Sequence, residues 1–285
     1  MSLISTAFVT QFGANIRLLV QQKGSRLEST VTVESGVTGE YVMMEQIAAA
    51  TASKRTQRHA DTPVSDPDPR RRRITLFDYE HAVLLDDADK LKTLIDPTST
   101  YAINGAYALG RAKDDEIITA ADATAYTGVD GSTTVAFPTS TNQIAAGGTG
   151  LSVAKLLQAK EILDAAETDP DEERFCVVTA AEVTDLLNTT EVRSSDYNSV
   201  KSLVEGKIDT FCGFKFKRTQ RLGTSSGSNK VLAYVKSGIG LAVAQDIKTR
   251  IGERADKSYS TQVYVSLGLG ASRLEEEKVV VILCA

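Results

Sequence analysis

The chain contains no tryptophan, and aromatic residues make up only 6% of its 285 positions. That scarcity argues against a single-strand nucleic-acid platform, which needs rings on which bases stack. Histidine occurs only at His59 and His81, which excludes most histidine-based metal sites. The cysteines Cys176, Cys212 and Cys284 lie far apart, with no CxxC, each in or beside an apolar run. That is the pattern of reduced, buried thiols in a reducing compartment. No apolar run approaches the roughly 18 residues of a membrane helix. The N-terminus lacks the basic-then-apolar layout of a secretory signal. No membrane partner is expected, and synthesis is expected in the cytoplasm. A large charge of one sign is lacking too. A formal −5 over this length is mild, whereas a dedicated nucleic-acid binder is strongly basic.

What is present folds. Apolar residues are 42% and charged residues 24%, which places the chain among ordinary globular proteins. Its organising stretch is 97–125, a single long helix. Asp96 can cap it, Pro97 suits its first position, and no proline follows until Pro138. Apolar and small residues recur there at helical spacing. Gly105 and Gly110 weaken such a helix but let another segment approach closely. An apolar stripe of Phe8, Phe12, Ile16 and Leu19 predicts a helix near the N-terminus, and 28–33 alternates like a strand.

Residues 35–73 change character: apolar side chains thin out and Pro63, Pro67 and Pro69 cluster. Lys54, Arg55, Arg58 and Arg70 to Arg73 supply seven bases. The segment is too polar for a core of its own and too long for an ordinary connection. With 74–85 alternating as a strand, it reads as a projecting β-arm. A short helix is expected at 86–95 and an exposed loop or hairpin at 126–150. An amphipathic helix is expected over 151–168, ending in an unanswered acidic run from Asp164 to Glu173. Strands are expected at 174–179, 231–235, 239–243, 249–253, 261–269 and 278–284, with a bend or bulge near Gly268 and Gly270.

Candidate chemistry is thin. Ser152-Val-Ala-Lys155, with Ser195 to Asn198 and Lys236 to Gly238, imitates a serine hydrolase set, but the middle motif is one residue too long. Ser152 reads better as a helix cap. Gly147 to Gly150 lacks the strand and the Lys-Ser/Thr of a phosphate loop. The carboxylate runs lack metal-loop spacing. Arg70 to Arg73 stand out. In an extended segment adjacent side chains point to opposite faces, so four arginines can engage two surfaces. Intersubunit contact, plain solvation and nucleic acid are the three readings.

The order of these parts resembles the major capsid proteins of tailed phages with the Hong Kong 97-type fold. The phrases Phe8 to Asn15, Gln22 to Arg26, Lys54 to Pro63, Asp78 to Glu80, Leu94 to Ala102 and Gly110 to Ile117 carry the resemblance. It implies an α+β fold. By the same resemblance, residues 1–33 are expected to form an N-terminal arm, 34–77 an extended loop, and 78–150 a peripheral domain with the spine helix 97–125. Residues 151–240 are expected to form an axial domain, and 241–285 to return as terminal strands to the peripheral domain. It implies a homo-oligomeric shell of hexamers and pentamers around packaged double-stranded DNA, located in the virion. No catalytic residues and no cofactor are implied. A separate scaffolding protein and a portal are expected, because the chain begins directly at the arm. A decoration protein is an optional partner, and contact with DNA is weak and non-specific. Lys54 is the only lysine between Gly36 and Arg73 and no asparagine partner is marked, so the shell is expected to be non-covalent. Intersubunit contact is assigned to Phe8, Phe12, Ile16 and Leu19, and to Lys54, Arg55, Arg58, Arg70, Arg71, Arg72 and Arg73. A neighbour's Asp114, Asp115 and Glu116 are the favoured receivers. An encapsulin-like compartment shell is the alternative, and a hydrolase using Ser152 and Lys155 a remoter one.

Overall fold

The computed structural model describes residues 21–58, 64, 66, 69–86, 98–188, 210–225 and 227–285. The expected helices near the N-terminus and at 86–95, the Asp96/Pro97 cap and the Ser195 to Asn198 motif lie outside those residues.

In chain order, the first strands are β1 (Thr32–Ser35), β2 (Tyr41–Ile47), β3 (Pro69–Thr75) and β4 (Phe77–Leu85). The long helix α1 (Thr98–Asp122) follows. Next come β5 (Ala125–Thr127), β6 (Thr133–Val135) and β7 (Gln143–Ile144). Helix α2 (Val153–Ala165), strand β8 (Arg174–Val178) and helix α3 (Ala180–Asn188) alternate after that. The remainder is β9 (Thr210–Phe211), β10 (Phe214–Arg218), β11 (Thr224–Ser225), β12 (Ser228–Val235), β13 (Ile239–Arg254), β14 (Ser260–Arg273) and β15 (Val279–Cys284).

Helix α1 has 25 residues, a rod of about 38 Å. Leu109, Lys113, Ile117 and Ala120 or Ala121 recur three or four positions apart as a buried stripe. The first sheet runs β1-β13-β14-β4, with α1 against β14 and β4. A methyl group at Gly105 would stand 2.9 Å from the Val265 side chain. One at Gly110 would stand 2.6 Å from the backbone of Gly24, so a second segment crosses the helix there.

The larger sheet runs β7-β15-β12-β8-β10-β9, with β11 beside β12. Its side chains alternate between two cores, as a pleated sheet requires. Phe175, Val177, Tyr234, Val279 and Val281 join Ile117 and the strands of the first sheet. Cys176, Val178, Ala233, Val280 and Ile282 join Leu156 and Leu163 of α2 and Val183 and Leu186 of α3. The β8–α3 corner is tied by Glu182, whose carboxylate accepts from the Thr179 N–H at 3.1 Å and from the Thr179 hydroxyl.

Three expectations are corrected. Strand β15 does not return to the first sheet. It lies between β7 and β12 in the larger one, because all six of its residues are buried and only a sheet covered on both faces can take them. The segments 239–243 and 249–253 are one strand, β13, and the irregularity foreseen at Gly268 lies opposite it, as register shifts between Val243, Gln245 and Lys248. Gly270 answers a different need: a methyl group there would sit 1.9 Å from the Thr75 carbonyl, where the base of the arm crosses β14.

Candidate functional site

The arm is a two-stranded ribbon. β2 pairs antiparallel with β3, from Tyr41 opposite Thr75 to Ile47 opposite Pro69. At its base β3 also pairs with β5, and β5 with β6, so the order is β2-β3-β5-β6. Beyond Ala48 the described residues of the outer arm, including Lys54, Arg55 and Arg58, are exposed.

The four arginines of β3 do alternate in facing, but the inner pair turns into its own subunit. Arg72 is buried; its Nε donates to the Leu274 carbonyl at 2.8 Å and its Nη2 meets the Glu276 carboxylate at 2.5 Å. Arg273, fully buried, lies on the other side of Glu276, at 3.6 Å. Its Nη1 donates to the carbonyls of Ala121 and Ala123 at the C-terminal end of α1. That end carries partial negative charge, so a cation is well placed there. On the opposite face Arg73 lies over the rings of Tyr41 and Tyr126, at 5.1 and 5.4 Å. The ribbon is thus clamped to the body from both faces. Arg72 is consequently committed within its own subunit, and Arg73, half-buried, is engaged there by the two rings. Arg70 and Arg71 lie farther out and are exposed; Arg71 pairs with Glu45 across the ribbon at 2.9 Å.

The favoured receiving cluster is engaged within its own chain. Asp114 is fully buried and accepts hydrogen bonds from the Gln22 amide, the Ser25 hydroxyl at 2.5 Å, and the backbone N–H groups of Arg26 and Leu27 at 3.1 Å. It fastens the root of the N-terminal segment to α1 one helical turn beyond Gly110. Asp115 is engaged by Arg221, whose Nε lies 2.5 Å away, and Glu116 accepts from the Tyr79 hydroxyl. Burial and that carboxylate both push the Tyr79 pKa up. The acidic run after α2 is answered within the chain too: Arg174 meets Asp164 at 2.6 Å, Lys215 meets Glu173, and Glu172 accepts from the Ser237 N–H. Arg174 directly follows the run, whereas Lys215 comes from β10, 42 residues beyond Glu173.

A separate acidic cleft of about 500 Å³ opens beside β4 and β14, lined by Asp78, Glu80, Gln245, Tyr264 and Ser266. Glu80 accepts from the Tyr264 hydroxyl at 3.0 Å. Sequence reading missed it because Asp78 and Glu80 are ordinary alternating residues of a strand until β13 and β14 are placed beside them.

Ser152 and Lys155 have structural roles. The Ser152 hydroxyl caps α2 by accepting from the Lys155 N–H. The buried Lys155 ammonium donates to the carbonyls of Ala146, Thr149 and Leu283, at 2.9, 2.8 and 3.0 Å. All three donors of the ammonium are engaged, so it cannot serve as a base toward Ser152. Cys176 and Cys284 are buried, while Cys212, half-buried, forms a tight turn between β9 and β10. Among the described residues no group of His, Cys, Asp and Glu could hold a metal ion, and no helix is long and apolar enough to cross a membrane.

The family model described as phage capsid protein matches residues 4–285. No curated protein matches the chain. Among solved structures, the capsid of cyanophage P-SCSP1u is similar at 16% identity and TM-score 0.72, covering 99% of this chain and 94% of that one. The structure of Mycobacterium phage Che8 is similar at 15% identity and TM-score 0.72, covering 96% and 97%. The capsid of Ralstonia phage GP4 is similar at 10% identity and TM-score 0.74, covering 97% and 94%. The chain, with its projecting ribbon, long helix and two-core α+β body, belongs to the phage capsid protein family, with the Hong Kong 97-like fold of major capsid proteins.

Proposed function

We propose that copies of this chain assemble as hexamers and pentamers into a closed icosahedral head shell around packaged double-stranded DNA. Synthesis is in the host cytoplasm, and a separate scaffolding protein and a portal complete the head. The observation that carries this reading is the clamped ribbon. Its base is fixed by Arg72 and Arg73, while Lys54, Arg55, Arg58, Arg70 and Arg71 stand exposed along it. A rigid base with a charged, unburied extension suits a limb that reaches a second subunit. Charge complementarity favours the cleft of Asp78 and Glu80 as its receiver, in place of the engaged Asp114 to Glu116. Negative-stain microscopy of the expressed chain, alone and with its scaffolding protein, tests the reading. Closed particles of uniform size are expected. Dispersed subunits under every protein and salt condition would count against it.

A further inference from the structure

We infer that the root of the N-terminal segment, the middle of α1 and the end of β10 together form a binding surface for the phosphate backbone of duplex DNA. Lys23 and Arg26 come from the root, Arg111 from the helix, and Arg218 and Arg221 from the strand and the loop after it. They are far apart in sequence, and the fold brings them together. Gly110 seats Gly24 against the helix, and Arg111 Nη1 donates to the Gln21 side chain at 2.8 Å and to the Gln22 carbonyl at 3.2 Å. Arg26 Nη1 donates to the Arg218 carbonyl at 2.8 Å, and Arg221 grips Asp115 on the next turn of α1. Lys23, Arg26, Arg218 and Arg221 are exposed and Arg111 is half-buried.

Among the described residues, Asp114 is buried beneath the root and bonded to it, Glu28 and Asp246 both meet the buried Lys113, at 2.8 and 3.5 Å, and Asp115 offsets one arginine. A concentration of positive charge on a chain of formal −5 therefore marks one face. Composition separates the two classes of polyanion. A protein-docking surface has an apolar centre with a polar rim. None of the large exposed apolar side chains of the described residues belongs to the group. Four of the five bases are arginines, whose planar donors match phosphate in a two-pronged way. A surface built of Lys and Arg side chains reads phosphate and not bases, so binding is independent of sequence. The shell reading supplies the biological source of the DNA; the binding itself does not depend on it.

The test uses the full chain and a short duplex of arbitrary sequence, with affinity measured at about 50 to 200 mM salt. The variant is K23Q/R218Q/R221Q. A second variant, K248Q/R250Q/K257Q, removes equal charge from the exposed far end of β13 and the turn after it. Each phosphate contact contributes about 0.9 to the slope of log affinity against log salt. The first variant should flatten that slope by about two to three, and the second should leave it within about half a unit. Equal flattening by both would show that net charge and not a surface is responsible, and would overturn the proposal. An unchanged slope in the first variant would overturn it as well. So would an unchanged slope with lost binding to a polyglutamate peptide, which would assign the surface to an acidic protein. If the triple variant does not fold, K23Q alone should flatten the slope by about one. Microscopy separates the two readings. Normal shells with an unaltered DNA slope would sink this surface and leave the shell standing. A chain that never forms shells would sink the shell, while the slope would still decide the surface.

Discussion

At the scale of single residues, the buried carboxylate of Asp114 does the most structural work. Four donors converge on it, two of them backbone N–H groups of Arg26 and Leu27. Asp114→Ala leaves those donors without an acceptor, at a cost of about 3 kcal/mol. For a chain of this size that lowers the melting midpoint by roughly 4 to 6 °C, readable by calorimetry. A shift under about 2 °C would show that the root is held by other contacts. The thiols give a pH signature. Burial pushes Cys284 up from 9.0 to about 11, with Lys155 opposing, and burial raises Cys176 further still. A raised value means that the folded chain holds its proton more tightly than the unfolded chain. This stabilisation is complete below about pH 9 and is lost as pH rises through about 11. Melting temperature should fall across that window, and Cys284→Ala should flatten the fall. An identical decline in that variant would assign it to other groups.

At the scale of elements, the competition at Gly110 shows how packing overrides propensity. Alanine gains about 1 kcal/mol over glycine inside a helix. Here its methyl group would stand 2.6 Å from one Gly24 backbone atom and 2.8 Å from another. Displacing a packed segment costs about 1 to 3 kcal/mol, so overpacking wins. Gly110→Ala should therefore be destabilised, and increased hydrogen exchange at 22–27 is the local readout. Greater stability with unchanged exchange would refute it. The arm obeys the opposite rule. Its two strands are held at the base by Arg72 and Arg73, but its outer residues bury little. Limited tryptic cleavage should fall at Lys54 to Arg58 in free subunits and be suppressed in assembled shells. Equal cutting in both would remove the arm from the intersubunit contact.

At the scale of the whole molecule, assembly needs contacts that are weak singly and strong in number. Exposed charge pairs, at about 0–1 kcal/mol each, meet that need and allow wrong contacts to dissolve. Their range shrinks from about 8 Å at physiological salt to about 3 Å at 1 M, so assembly should slow as salt rises. Arg70→Glu with Arg71→Glu should reduce shell formation while leaving the melting temperature within a few degrees. Reversing Asp78 and Glu80 to Lys in the same chain should restore part of it, as counted in micrographs. No restoration would reject this receiving cleft. Arg72 and Arg73 are unsuitable for the same test, because changing them would undo the clamp inside the subunit.

The sequence by itself determined what depends on local pattern. The long helix followed from uninterrupted helical spacing without proline, the β-arm from a polar, proline-marked excursion, and the cap at Ser152 from its place before an amphipathic run. The alternating facing of Arg70 to Arg73 followed from the two-residue period of a strand. Only the tertiary structure decided which surfaces those faces meet. Arg72 finds Glu276, and Asp114 finds the turn at Ser25 to Leu27, across separations of 204 and about 90 residues. Strand β15 joins the larger sheet because its neighbours β7 and β12 leave a slot covered on both faces. Charge and apolar pattern state that a residue requires a partner. Which partner it receives is set by chain crossings that no local pattern encodes.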